Sequence, residues 1–142
     1  MQRIMTSTAL VFAGALLLAG CASNSGDGGS TAAAGDCETI RVEVRNISNG
    51  AQNTLASTND PAEIESYLEE LSERVDALSE DATDEKVSDA LEALDERIDA
   101  AADFAATLPA DPEAERDADA IAEQQSGIQE ASVKVTEVCT AE

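Results

Sequence analysis

The side chains with reactive chemistry in this chain of 142 residues are three cysteines and 30 aspartates and glutamates. A thiol can carry an acyl chain, form a disulfide or ligate a metal, and a carboxylate can transfer protons or bind a cation. The cysteines lie at positions 21, 37 and 139, and no Cys-x-x-Cys motif brings two of them together. The spacing therefore argues against a redox-active dithiol.

Histidine is absent from the sequence. The chain therefore has no histidine general base, no Ser–His or Cys–His nucleophile pair and no imidazole metal ligand. The acidic residues outnumber the 8 lysines and arginines, which gives a net charge of −22. Charge of this sign and size argues against nucleic acid as a partner and against direct docking on anionic lipid. We expect a protein that is not an enzyme and holds no metal or cofactor.

The first 20 residues have the pattern of a secretory signal peptide. Arg3 is the only charged residue before Asp27, and residues 9–20 contain no polar side chain. This apolar run is too short for a membrane-spanning helix, which needs about 20 residues. A basic start, a short apolar stretch and small residues at its end are typical of a signal for secretion.

The end of that stretch is more specific. Leu18-Ala19-Gly20-Cys21 resembles the lipobox of bacterial lipoproteins. The resemblance implies that the chain is cut before Cys21, that the Cys21 thiol carries diacylglycerol, and that its amine is often acylated too. Two acyl chains hold a protein stably on a bilayer, whereas one is marginal. We therefore expect the protein to be anchored by lipid on the extracytoplasmic side of the cell membrane.

Composition divides the chain into three parts. Residues 1–20 are the expected signal peptide, residues 21–36 the lipid anchor and a flexible linker, and residues 37–142 an acidic helical domain. The linker is rich in Ser, Gly and Ala and reaches roughly 20 Å as a flexible coil. The layout also resembles the short helical envelope lipoproteins of high-GC Gram-positive bacteria, a resemblance that carries no functional residues.

Apolar residues recur at helical spacing in four segments of the last part. Asp36 can cap the first segment, Asp60-Pro61 opens the second, Pro109 stops the third, and the fourth follows residues 111–113. The four stripes are Ile40, Val44, Ile47, Ala51 and Leu55; Ile64, Tyr67, Leu68, Leu71, Val75 and Leu78; Val87, Leu91, Leu94, Ile98, Ala101, Ala105 and Leu108; and Ala114, Ala118, Ile121, Ile128, Ala131, Val135 and Val138. Glu70–Arg74 and Glu130–Lys134 are spaced as surface ion pairs.

Two stretches admit another interpretation. Residues 39–47 alternate apolar and polar side chains, which is a strand pattern, and Val133 and Val135 partly echo it. A short antiparallel pair of strands at the two ends of the domain is therefore an alternative. The break near Asp81 has no Gly or Pro, so the second and third segments could form one long helix. The change in phase of the apolar stripe favours a break.

The remaining cysteines, Cys37 and Cys139, flank the helical part almost end to end. Secretion would place them in an oxidising compartment, where such a pair usually forms a disulfide. In an antiparallel four-helix bundle the start of the first helix lies beside the end of the fourth. We therefore predict an all-α, antiparallel four-helix bundle closed by a terminal disulfide, although one long central helix would also bring the two ends together.

A few other residues invite a functional interpretation. Tyr67 and Phe104, the aromatics after residue 21, fall on or beside apolar stripes and are expected in the core. Residues 67–78 and 90–101 match at 7 of 12 positions, which could make Arg74 and Arg97 a paired anion or partner contact. Ordinary similarity between two amphipathic helices is the simpler explanation. The acidic runs are expected to form solvated faces; they are Glu69-Glu70, Asp84-Glu85 and Asp95-Glu96.

Two functions remain. The first is a lipid-anchored, non-enzymatic envelope protein, monomeric, whose acidic helical module contacts another envelope protein or a glycan. The second is a binder of divalent cations or cationic ligands that uses its acidic surface.

Overall fold

The computed structural model describes residues 36–111 and 113–141. Four helices account for most of this part: α1 (Cys37–Leu55), α2 (Pro61–Asp81), α3 (Glu85–Ala106) and α4 (Ala118–Thr140). No strand occurs in the described ranges. Each helix packs against the next along the chain, and α4 returns to pack against α1. The prediction of an all-α, antiparallel four-helix bundle is confirmed.

The alternating stretch at residues 39–47 lies inside α1, so the strand alternative was wrong. The helical stripe decides the outcome, because Ile40, Val44 and Ile47 are all buried while Val42 is exposed. The same residues satisfy a period of two over a short window and a period of 3.6 over the whole helix. The longer pattern buries more apolar surface.

Each helix is preceded by an aspartate that caps its first turn. The four N-caps are Asp36, Asp60, Asp84 and Asp117, and each side chain accepts at least one hydrogen bond from a backbone N–H in the first turn. An aspartate here satisfies an otherwise unpaired donor and complements the helix dipole, which is worth about 0.5–2 kcal/mol per cap. The predicted caps at Asp36 and Asp60 are confirmed, as is the break between the second and third segments.

The start of the fourth helix differs from the prediction. Asp111 closes only a single turn, in which its side chain accepts from Glu113 N–H at 2.9 Å. Helix α4 begins at Ala118, where Asp117 accepts from two backbone N–H groups. Arg116 lies just before this cap. Its guanidinium donates to the carbonyls of Ser57 at 3.0 Å and of Asn59 at 2.7 Å, which ties this part of the chain to the connection between α1 and α2.

The consequence of this later start is that Ala114 and Ala118, both assigned to the fourth stripe, are exposed.

The other three stripes supply the core almost as predicted, with the exception of Tyr67. The Tyr67 side chain is 40% exposed, so its placement in the core was wrong. Phe104 is partly buried and packs against the core. Tyr67 lies at the edge of its stripe, where a hydroxyl can remain in water.

The predicted disulfide is present between Cys37 and Cys139, whose Cα atoms are 5.2 Å apart. It joins the first residue of α1 to the end of α4 and closes a loop across a sequence separation of 102 residues. The bond fixes which ends of the bundle meet.

Several predictions lie outside the described residues: the signal peptide at 1–20, the lipobox with Cys21, and the linker up to residue 35. Among the helices that the structure does describe, none is long and apolar enough to cross a membrane.

Candidate functional site

Two depressions of about 120 Å³ and 460 Å³ lie side by side along the boundary between α1 and α4. They are neighbours, since Arg45 and Thr136 line both, and together they mark one shallow groove between the two helices. We call it the α1–α4 seam. The residues that line it are Glu38, Arg41, Val42, Val44, Arg45, Ser48 and Asn49 of α1 and Gln129, Ser132, Val133 and Thr136 of α4.

Helical periodicity places these residues on facing sides. The seam positions on α1 recur three or four residues apart, as do those on α4, so each set forms one helix face. Ser48 and Ser132 are buried where the two helices approach each other. Small side chains at these positions leave a shallow groove between the helices, which larger residues would fill.

The hydroxyl groups in the floor of the seam have partners. Ser48 Oγ accepts from the Gln52 amide at 3.0 Å, Ser132 Oγ donates to the Gln129 carbonyl at 2.9 Å, and Thr136 Oγ1 donates to the Ser132 carbonyl at 3.1 Å. The Ser132 and Thr136 hydroxyls thus donate to the backbone of their own helix, whereas the Ser48 hydroxyl accepts from a side chain of its own helix. Each of the three hydroxyls is therefore engaged with its own helix.

Three glutamines join the two helices at the end of the seam away from the disulfide. The Gln52 amide donates to the Gln129 side-chain oxygen at 2.9 Å, and the Gln125 amide donates to the Gln52 carbonyl at 2.8 Å. These contacts join α1 to α4 across the groove. The seam therefore extends from the disulfide end of the bundle to these three glutamines.

The rim of the seam combines cations with apolar side chains. Arg41 and Arg45 are exposed and make no ion pair within the described residues. Val42 and Val133 are 42% and 44% exposed, and they are two of the three large apolar side chains that are exposed in this part of the chain; Tyr67 is the third. Arginine beside exposed apolar surface is common in protein contact sites.

A second polar arrangement lies between α2 and α3. The buried Ser72 Oγ is 2.6 Å from a carboxylate oxygen of Asp95 and 2.7 Å from one of Asp99. A serine hydroxyl has one hydrogen and donates it to only one acceptor at a time. Both contacts are therefore satisfied together when one carboxyl carries a proton and donates to Ser72.

Asp95 is the carboxyl placed to hold that proton. Burial raises its pKa above the ordinary value, and repulsion from Asp99, Asp76 and Glu96 adds to the rise, whereas the hydrogen bond from Ser72 opposes it. Asp99 is exposed to solvent. Ser72 Oγ is the donor in both contacts, so the two carboxyl groups compete for one hydroxyl hydrogen unless one of them is protonated.

No family model, curated protein or solved structure matches the chain.

The structure does not bring the two arginines of the near-repeat together. Arg74 of α2 makes an ion pair with Glu43 of α1 at 2.8 Å. Arg97 of α3 lies against α4, where a Cβ added to Gly127 would be 3.6 Å from its Cδ. Equivalent positions of the repeat thus contact different helices. The proposed Glu70–Arg74 pair is replaced by this contact with Glu43.

The other predicted ion pair also has a different partner, since Lys134 lies 3.7 Å from Glu137 in the following turn. Both of these side chains are largely exposed, so the contact is worth little.

The three acidic runs differ in what they do. Asp84 caps α3 and Asp95 contacts Ser72, whereas Glu69, Glu70, Glu85 and Glu96 are exposed. Within residues 36–111 and 113–141, no group of three or more cysteine or carboxylate side chains is arranged to hold a metal ion.

Sequence reasoning missed Arg41 and Arg45 as surface features. Their spacing of four residues was visible, but Arg41 and Arg45 were noted only as polar positions of the alternating stretch, which was the basis of the alternative strand interpretation. Their position beside Val133 and Thr136 depends on the packing of α1 against α4. Nothing in the local sequence specifies that neighbour.

Proposed function

We propose that the protein is a lipid-anchored, non-enzymatic component of the cell envelope that presents a helical module to another envelope protein or a glycan. The α1–α4 seam carries this proposal, because it gathers two exposed arginines and two exposed valines on a chain whose net charge is −22. Surfaces of this composition usually mark contact sites.

The anchoring part of the proposal is supported by Leu18-Ala19-Gly20-Cys21, which matches the lipobox at each position. With Cys21 in the bilayer, the linker would lead directly into Cys37 at the start of α1. The seam begins at this same end of the bundle. A partner on the seam would then contact the module along a groove that begins beside Cys37.

The non-enzymatic part is supported by the chemistry of the side chains. The sequence has no histidine, and the hydroxyl groups of the seam bond to their own helix. The buried polar side chains in the described residues are three serines. A nucleophile needs a positioned general base, and the two buried serines of the seam, Ser48 and Ser132, bond instead to an amide or a carbonyl of their own helix.

Binding of divalent or polyamine cations is the second candidate. It draws support from the acidic surplus, which becomes −23 when Arg3 leaves with residues 1–20. Calorimetric titration with calcium, magnesium and spermidine separates the candidates. Saturable micromolar binding supports this second function, and heats that vanish in 0.15 M salt leave only a diffuse ion atmosphere.

The experiment for the main proposal is crosslinking in intact cells followed by fractionation. The protein should be found in the membrane fraction, with one or a few stoichiometric crosslinked partners. A Cys21→Ala protein should leave that fraction. Recovery of the unaltered protein in the soluble fraction, or turnover of a substrate by the purified chain, would contradict the proposal.

A further inference from the structure

We propose that the α1–α4 seam binds a protein segment rich in carboxylates that also presents small apolar side chains. This inference rests on the proposed function and names the class of its partner. It depends on the pairing of two arginines with two valines along one groove, and on the length of that groove.

Three charged side chains line the seam, namely Arg41, Arg45 and Glu38, so its own charge balance is positive on an otherwise acidic chain, and this favours an acidic ligand. Arg41 and Arg45 lie one helical turn apart, so their guanidinium groups project from the same face of α1. Two guanidinium groups at this spacing suit carboxylates one turn apart on a partner, and each can form a bidentate pair. Glu43 of the same helix contacts Arg74 of α2, on the other side, and leaves these two arginines available.

The length of the seam sets the size of the contact. From Glu38 to Asn49 the seam follows 11 residue steps of α1, or about 17 Å. Three turns of a partner helix, or about five residues of an extended strand, span the same distance. Val42 of α1 and Val133 of α4 give two apolar positions that a partner's small side chains would cover.

The composition of the seam favours a protein over the two other classes of partner. Glycan sites usually stack sugar rings on aromatic side chains, and the seam residues include no aromatic. Juxtamembrane sites for anionic lipid usually carry four to eight lysines and arginines in a cluster, and the seam carries two. A second copy of this chain would bring two whole chains of net charge −22 together, whereas a short segment brings only a few carboxylates, so the second copy is the more strongly repelled of the two.

The test is fluorescence anisotropy with the full chain, purified in mild detergent. The probe is a fluorescein-labelled 15-residue peptide with glutamates four apart on one helical face and leucine and alanine on the other. A second peptide replaces each glutamate with lysine. Phosphatidylglycerol vesicles and a muramyl glycan fragment serve as competitors, so that each alternative partner has its own readout.

The matched variants are Arg41→Glu/Arg45→Glu at the seam and Lys86→Glu/Arg97→Glu elsewhere. Each changes the net charge by −4 and replaces exposed side chains, so overall repulsion changes equally. We expect the seam variant to weaken binding of the acidic peptide at least tenfold, and the control variant less than twofold. Circular dichroism of both variants shows whether the bundle is retained, and Val42→Asp provides a third variant that leaves both arginines in place.

Changes in the NMR chemical shifts of the backbone amides show where the acidic peptide binds. The acidic peptide should shift residues 38–49 and 129–136 and leave the α2–α3 face unchanged. Equal weakening by the two double variants, absence of binding at 1 mM peptide, or complete displacement of the bound peptide by the vesicles or by the glycan fragment would overturn the proposal. So would a dimer, seen by ultracentrifugation, that the seam variant abolishes. Lipidation of Cys21 is measured on the same preparation, so failure of the anchoring proposal is seen separately.

Discussion

Ser72 of α2 lies 2.6 Å from Asp95 of α3, and the two groups share a hydrogen bond in the interface between the central helices of the chain. The second contact of Ser72, to Asp99 at 2.7 Å, leaves one hydroxyl hydrogen between two carboxyl groups. The α2–α3 interface is therefore satisfied best when Asp95 is protonated. Because burial raises the pKa of Asp95, we expect the stability of this interface to change with pH.

The first prediction is that the stability of the bundle changes with pH through Asp95. The pKa of Asp95 is raised in the folded state, mainly by burial, so the folded chain binds this proton more tightly than the unfolded chain does. The Asp95 contribution to stability should be fully present below the unfolded pKa of about 3.8 and should be lost as pH rises through the raised value. The groups facing it are Ser72 and Asp76 of α2 and Glu96 and Asp99 of α3.

Asp95→Asn should remove this loss, because the amide is neutral at every pH and can donate to Ser72. We expect it to raise the free energy of unfolding at pH 7 by about 1 kcal/mol, the usual worth of one hydrogen bond. Urea unfolding between pH 3.5 and 7.5 measures the effect against Glu96→Gln as the control. A stability difference between Asp95→Asn and the parent that stays constant over this range would show that Asp95 does not hold the proton.

The second prediction concerns the disulfide. Reduction of Cys37–Cys139 should lower the free energy of unfolding by about 2–5 kcal/mol, because the bond closes a loop of about 100 residues. Such a loss is large against the about 5–15 kcal/mol by which domains are usually stable. Residues 22–142 should take up no alkylating label before reduction and two labels after it. A melt that is indifferent to reduction would show that the helices hold the fold without the bond.

The third prediction concerns Gly50, which lies in the middle of α1. An added Cβ would be 2.9 Å from Tyr67 Oη, the far end of a half-exposed side chain that can rotate away. Gly50→Ala should therefore stabilise the bundle by about 0.5–1 kcal/mol through helix propensity. Thermal melts of this variant and of Gly50→Ala/Tyr67→Ala measure it. Marked destabilisation by the alanine that Tyr67→Ala relieves would instead show that the tyrosine is fixed against α1.

The fourth prediction concerns salt. With residues 1–20 removed the chain carries −23, and the repulsion among these charges is screened over about 10 Å at 0.1 M salt. The melting temperature should rise from 10 mM to 0.3 M sodium chloride, and the protein should remain a monomer. Scanning calorimetry with sedimentation velocity tests both statements. A melting temperature that falls over this range would indicate that favourable ion pairs outweigh the repulsion.

Helical periodicity was sufficient to predict the fold and most of the core. The stripe from Ile40 to Leu55 and the stripe from Val87 to Leu108 are buried along their whole length. The start of α4 was not predictable from local signals, because Arg116 bonds to carbonyls nearly 60 residues away. The proline at position 112 follows an aspartate, which is typical of a helix start, and the true cap lies at Asp117.

The candidate sites depend on which helices are neighbours, and that information is absent from local sequence. Ser72 and Asp95 are 23 residues apart, which is also the offset of the near-repeat, but their contact follows from the register of α2 against α3. The seam likewise needs Arg45 of α1 and Thr136 of α4 on one groove. Composition predicted an acidic surface, and the packing of helices determined where the exposed arginines lie.

We propose above that a lipid anchor at Cys21 holds the bundle at the membrane. Metabolic labelling with palmitate, followed by mass spectrometry of the N-terminal peptide, tests it directly. We expect the unaltered chain to begin at Cys21 and to carry diacylglycerol on the Cys21 sulfur. The Cys21→Ala protein should carry no label. A chain that retains residues 1–20, an unmodified Cys21 thiol, or a label that persists in the Cys21→Ala protein would contradict it.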